Sequence, residues 1–293
     1  MELLASPPGV ASAGAQAEAT ALVLTALASY GHTPNGTGPF AKAMTKGLTF
    51  LLAQQRSSPH SNDFSGNGAA VNAHASATLA VAAIYGLTGQ ANLREPLRRA
   101  VDLILARQDG KSGSWAAAGQ DVNLPTTYRQ LAALFEAQPV LSEPEWHDAA
   151  KKAALYLSKT RPPEGTSLHD LTAVAMHMIC QMCVLGQRGD GAWKPVIQLI
   201  VNQGPAKDDA VYTYYATQAV FDWEGDSWRT WDQWLRQLRR QQVESQIAEG
   251  ENAGSWPPGA GRSLDDDRLY RTVLNSMTLQ VHTRHMHRYF QFR

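Results

Sequence analysis

Apolar residues recur along this chain at spacings of three and four rather than two, and clusters of Gly, Pro, Asn and Asp divide the segments so patterned. The pattern predicts eleven helices and almost no strand. The first runs from Ala15 to Tyr30 and stops at Gly31, a residue suited to a helix C-terminus. The second follows Pro39, which fits a first helical turn, and reaches Gln55. Helices three to six are expected over 72–85 with a stop at Gly86, then 93–108, 125–138 and 144–160. The seventh covers 168–186, the eighth 193–203, and the ninth runs from Asp208 or Asp209 to Gly225. The tenth follows Asp226, a good N-cap, and ends near Gln246; the eleventh starts in the run Asp265-Asp266-Asp267.

The first, third, seventh and ninth segments are apolar on several faces, whereas the second, fourth, sixth and tenth carry stripes of Lys, Arg and Glu. Such alternation predicts an inner and an outer layer. A repeat supports it: Tyr30 and Tyr85 end matching segments 55 residues apart, and Gln55 and Gln108 end matching segments 53 apart. A two-helix repeat of this length means stacked hairpins, in an open solenoid or a closed ring. Eleven helices make five hairpins and one unpaired last helix, as if the chain were part of a longer protein. Residues 1–14, rich in Pro, Gly, Ala and Ser, read as a flexible tail or linker, and 15–293 as one domain.

Composition narrows the functional classes. Lys plus Arg number 26 and Asp plus Glu 26, which gives no support to a nucleic-acid partner. No apolar run approaches the ~20 residues of a membrane-spanning helix. The start Met1-Glu2-Leu3 lacks the basic segment of a secretory signal, so the expectation is a soluble protein, cytoplasmic if the chain is complete. Cys180, Cys183 and His177 share a helix face, and one face cannot wrap a tetrahedral zinc ion; they read as core residues. His282 and His285 share a face while His287 turns away, and Arg284 and Arg288 beside them disfavour a cation, which leaves a pH-responsive tail. No metal and no cofactor is expected.

Three segments carry more specific information. Gln108, Gly113 and Trp115 form the pattern Q-x(4)-G-x-W; Gln246 with Gly254-Ser255-Trp256 is a looser version, and Gly189-Asp190-Gly191-Ala192-Trp193 a degenerate one. These resemble the Gln-Trp repeat of squalene and oxidosqualene cyclases, and over about residues 15–290 the chain resembles the prenyltransferase and squalene-cyclase repeat superfamily. Tyr212 to Gln218 and Leu269-Tyr270-Arg271-Thr272 are also similar to single-toroid bacterial proteins of this repeat class. The resemblance implies an all-α (α/α)6 toroid of helical hairpins with inner and outer layers and an incomplete last hairpin. It gives the Gln-Trp element a structural role, with Gln bonding a neighbouring repeat and Trp stacking over a helix end.

The chemistries of that superfamily need residues that do not match here. Leu264 stands where a D-x-D-D acid would begin before Asp265, Asp266 and Asp267, and those three suit a helix N-terminus instead. Asp208-Asp209-Ala210-Val211-Tyr212 starts a D-D-x-x-D magnesium motif but ends it in Tyr. The Asp, Cys and His zinc set of protein prenyltransferases and the Cys-Gly-Glu-Gln thioester run are absent. Fold therefore does not carry function over.

Parallel inner helices would place their N-terminal ends at one mouth, where polar groups and aligned amides can meet a ligand. Residues near those starts are the ligand-binding candidates: Tyr128, Arg129, His169, Tyr212, Tyr215, Arg268 and Tyr270. Asp170 and His74 are the acid–base candidates. Trp228, Trp231 and Trp234 recur at spacing three on the tenth helix, either as core or as an exposed stripe for a partner or a carbohydrate. The reading that follows is a binding domain for an isoprenoid or other apolar small molecule, or for a protein or peptide partner. One alternative is a terpenoid cyclase or prenyltransferase whose aromatic faces stabilise a carbocation. Another is a carbohydrate-active (α/α)6 enzyme using Asp170 with His74 or Tyr128.

Overall fold

A computed structural model describes residues 13–57, 62–65, 70–117, 121–138, 143–159, 167–185, 191–223, 228–259 and 268–282. Among these, eleven α-helices account for nearly all regular structure, and the one β contact is an isolated bridge between Ala116 and Val122. They are α1 (Ala13–Ser29), α2 (Ala41–Ser57), α3 (Val71–Thr88), α4 (Ala91–Ala106), α5 (Leu124–Glu136), α6 (Glu143–Lys159), α7 (Leu168–Leu185), α8 (Lys194–Gln203), α9 (Ala210–Asp222), α10 (Arg229–Ser245) and α11 (Arg268–Leu279). A single 3-10 turn, Gly191–Trp193, precedes α8.

The chain divides into two compact units, residues 1–156 and 157–293. In the first, α1 and α5 both pack on α3, with α2 against α1 and α4 against α3. In the second, α7 and α11 both pack on α9, which α8 and α10 also flank. Odd-numbered helices thus form an inner layer in each unit, as the alternation of apolar and amphipathic segments requires. Ala-rich α1 and α3 bury small residues such as Ala17, Ala21, Ala75, Ala77 and Ala80, which allows close helix approach. The outer helices bury one stripe each; α10 buries Trp231, Trp234, Leu238 and Gln242.

Several helix ends follow from single residues. Gly31, at φ +81°, closes α1. Asn123 caps α5 by accepting the Thr126 amide at 3.0 Å, and Asp209 caps α9 by accepting that of Tyr212 at 2.7 Å. Two ends differ from the sequence expectation. Helix α3 passes through Gly86 and stops at Gly89, whose left-handed backbone lets its N–H reach the Tyr85 carbonyl at 2.8 Å. Helix α10 is preceded by Trp228 in the left-handed conformation, φ 72°, and Asp226 lies outside the described residues. So do the Asp265–Asp267 run and residues 1–12.

Candidate functional site

One bonding scheme, used four times among the described residues, ties an outer helix to the inner helix that follows. At the end of α4, Gln108 Nε2 donates to the carbonyls of Gly113, at 2.6 Å, and of Ala149 in α6, at 2.8 Å. Trp115 is fully buried; its indole N–H donates to Ile104 O at 2.8 Å. Its backbone N–H donates to Thr127 Oγ1 in α5 at 3.2 Å. The same set recurs after α10. Gln246 Nε2 donates to Gly254 O at 2.8 Å, Trp256 Nε1 to Gln242 O at 3.1 Å, and the Trp256 amide to Thr272 Oγ1 of α11 at 3.2 Å.

After α2, Gln55 Nε2 donates to Pro96 O in α4 at 2.8 Å, and the Phe64 amide donates to His74 Nδ1 of α3 at 3.1 Å. After α8, the Ala206 amide donates to Thr213 Oγ1 of α9 at 3.0 Å. The Gln-Trp pattern is therefore a structural staple, in which side chains satisfy loop and helix-end groups that burial would otherwise leave unpaired. In the degenerate copy, Trp193 sits in the 3-10 turn and packs on the His177 ring at 5.9 Å.

The staples fix the rotation of each inner helix. His74, Thr127, Thr213 and Thr272 point to the preceding loop, and two residues further on is about 200° round the helix. The opposite face is thus marked by Ser76, Arg129, Tyr215 and Leu274. In the first unit this face is polar and partly exposed. Arg129 Nη1 of α5 donates to Glu18 Oε1 of α1 at 2.5 Å, with each side chain 21% exposed. Gln130 Nε2 of α5 donates to Val71 O at the start of α3, at 3.2 Å. Helices α1 and α5 both pack on α3, so the ion pair links the two helices that flank it. One turn before Ser76 on α3, the side-chain oxygen of Asn72 is buried without a hydrogen-bond partner. In the second unit the same face is closed: Tyr215 and Leu274 are buried, and Tyr215 packs edge-on against Tyr214 at 5.1 Å.

The other sequence candidates fall in distinct places. His74 is fully buried, with Nε2 3.0 Å from Ala100 O as well as Nδ1 on Phe64. Asp63, Ser65 and His74 have the composition of a catalytic triad, but Ser65 Oγ donates to Asp63 Oδ1 at 2.7 Å rather than to the imidazole. All three are 0% exposed, which denies access to a substrate. Burial alone pushes the Asp63 carboxyl up. The His74 ring, when it carries a proton on Nδ1, and the Ser65 hydroxyl and amide outweigh this and hold it well below the usual carboxylate range. Asp170 completes a capping arrangement: Ser167 Oγ accepts its amide at 3.2 Å and donates to its carboxylate at 2.5 Å.

His169 and Arg268 are exposed, Tyr270 is half-buried, and Tyr128 is buried. The Tyr212 hydroxyl donates to Ile200 O at 3.3 Å; burial, with the Asp209 charge, pushes that phenol above its ordinary range. Of the three tryptophans of the tenth segment, Trp231 and Trp234 are core, while Trp228 is 51% exposed against Phe221. Cys180 is buried, and burial holds His177 below the ordinary imidazole range. Burial, with Arg239, lowers His282 too. Among the described residues no group of three His, Cys, Asp or Glu could hold a metal ion. The Cys183 side chain, His285 and His287 lie outside the described residues. No helix of the described residues is long and apolar enough to cross a membrane.

Sequence reasoning selected Arg129 and missed Glu18. The signal was present: Glu18 is the sole charged residue of α1, in an otherwise Ala- and Leu-rich helix.

Comparison with family models finds no match, and comparison with curated proteins finds none. Among solved structures, the chain is similar to cellobiose 2-epimerase from Bacillus thermoamylovorans B4167, with a TM-score of 0.62 at 13% identity, over 89% of this chain and 87% of that one. The likeness shows the fold: all-α, of the (α/α)6 toroid class built from helical hairpins.

Proposed function

We propose that this chain binds a small polyhydroxylated ligand of the carbohydrate class on the inner-helix face formed by α1, α3 and α5. The observation that carries the reading is the Glu18–Arg129 ion pair, which links α1 and α5 on that face opposite the staples. Ligand sites use a small number of placed polar groups, and this face offers them. Taking two charges out of water offsets much of their attraction, so a largely buried ion pair is weak evidence for a stabilising role. Recognition is a better one: a carboxylate accepts and a guanidinium donates, and sugar hydroxyls do both. Ser76 and the unpartnered Asn72 oxygen add polar groups to the same face. The similar solved structure is that of a cellobiose 2-epimerase, a protein of sugar chemistry, which lends the ligand class further support.

The isoprenoid reading rests on aromatic side chains, and those of α9 are spent on packing. Tyr212, Tyr214 and Tyr215 are buried, and Phe221 packs on Trp231 at 4.9 Å. The Gln108 and Gln246 staples support kinship with squalene-cyclase-like repeats as an architecture rather than as a chemistry. The test is a thermal-shift panel of glucose, mannose, cellobiose, squalene and a polyprenyl diphosphate on the whole chain. A saturable rise in melting temperature with at least one sugar is expected, following ligand linkage. A rise with squalene or the diphosphate and none with sugars would overturn the reading.

A further inference from the structure

We propose that His74 is a proton-operated latch on residues 62–65, between α2 and α3. Three of the four staples use a threonine hydroxyl, from Thr127, Thr213 and Thr272, and a hydroxyl accepts an amide at any ordinary pH. The staple at α3 uses an imidazole instead. Its Nε2 lies 3.0 Å from the Ala100 carbonyl, which can only accept, so Nε2 carries the hydrogen. The Phe64 amide points at Nδ1 from 3.1 Å, which requires a lone pair there. The arrangement is that of a neutral ring with its proton on Nε2.

A second acceptor waits at the same atom. Asp63 Oδ1 lies 3.3 Å from His74 Nδ1 and cannot bond to it while the lone pair faces Phe64. A proton on Nδ1 reverses the pairing: the imidazolium donates to Asp63, and the buried Phe64 amide loses its acceptor. The two arrangements exclude each other, which makes this a two-state element.

The groups around the ring favour such a switch. Asp63 is fully buried; Arg107 Nη2, from the end of α4, meets its other oxygen at 3.3 Å, and Ser65 N–H and Oγ–H donate to Oδ1. From α2 the neutral Gln55 amide reaches Asn62 O and Pro96 O. Within α3, Thr78 donates to the His74 carbonyl. The charges that α1 and α5 bring towards α3, Glu18 and Arg129, are paired with each other on the opposite face. Acidification therefore releases the Phe64 amide in exchange for a bond to Asp63, while the threonine staples hold.

Amide hydrogen exchange of Phe64, corrected for the intrinsic pH dependence of exchange, tests this at about pH 8 and about pH 5.5. In the wild-type chain the protection factor of Phe64 should fall at least about tenfold on acidification, while those of Trp115 and Trp256 stay level. In His74→Thr, which copies the other staples, the Phe64 fall should vanish. Equal Phe64 protection at both pH values in the wild type would overturn the latch, as would a fall that persists in His74→Thr. Imidazole nitrogen shifts of the wild-type protein give an answer without the variant. An Nε2–H ring at about pH 8 is expected, and an Nδ1–H ring would overturn the proposal.

Discussion

The inner helices of the two units carry the same staple but opposite faces. Opposite the staple, α3 and α5 present Ser76 and Arg129, partly open to solvent; α9 and α11 present Tyr215 and Leu274, both buried. Identical backbone machinery therefore does not decide whether an inner face becomes a site or a core. The residue two positions after the staple decides it. A small hydroxyl and a long cation leave a polar surface, and an aromatic with a Leu fill the space.

The strongest way to break this comparison is to exchange roles. Tyr215→Ala should lower the free energy of unfolding by about 3–5 kcal/mol, the usual cost of truncating a buried aromatic. Ser76→Ala should change it by less than about 0.5 kcal/mol, as expected of a partly exposed position. Urea denaturation of both variants checks the pair; similar losses at both positions would erase the distinction between faces.

The staples themselves give the next effect. A Cβ on Gly113 would stand 2.7 Å from Lys152 Cβ and 2.9 Å from its backbone carbon, at φ +71°, whereas one on Gly254, at φ +84°, meets nothing within 4 Å. Gly254→Ala should cost about 1–2 kcal/mol from the left-handed backbone alone. Gly113→Ala should cost about 1–3 kcal/mol more, because the α6 backbone must also move. Calorimetric melting of the two variants separates the contributions.

A smaller effect concerns Asp63. Its carboxyl is held below the ordinary range, so the folded state gives up its charge later than the unfolded chain does as pH falls. The stability it contributes is full above about pH 4, the ordinary carboxylate value, and is lost as pH falls through the depressed folded value. The stability gap between wild type and Asp63→Asn should therefore close as pH falls below about pH 4. Urea midpoints across the acid range measure it.

Much of the architecture was legible in the sequence because it depends on local order. Helix existence follows from apolar spacing, the two layers from which segments lack charge, and the Gln108–Trp115 staple from its own residue pattern. The site was legible only in part. Arg129 was visible near a helix start, but Glu18 is 111 residues away and meets it only because α1 and α5 flank the same helix. His74 was read as a lone histidine; its equivalence to Thr127 and Thr272 appears only once the loop amides are placed. The tryptophans of the tenth segment could not be divided into core and surface by spacing, because the break at Trp228 is a backbone conformation that a bulky residue rarely adopts.

The central claim is that the partly exposed inner face binds a sugar through Arg129 and Glu18. The most direct test is isothermal titration of the sugar giving the largest thermal shift into wild type and Arg129→Ala, with unfolding curves to establish that both are folded. Removing a charged hydrogen-bond donor at about 1.5–3 kcal/mol predicts that affinity falls at least about tenfold while the melting temperature stays within a few degrees. Equal affinity in the two proteins would contradict the account and place the ligand elsewhere on the chain.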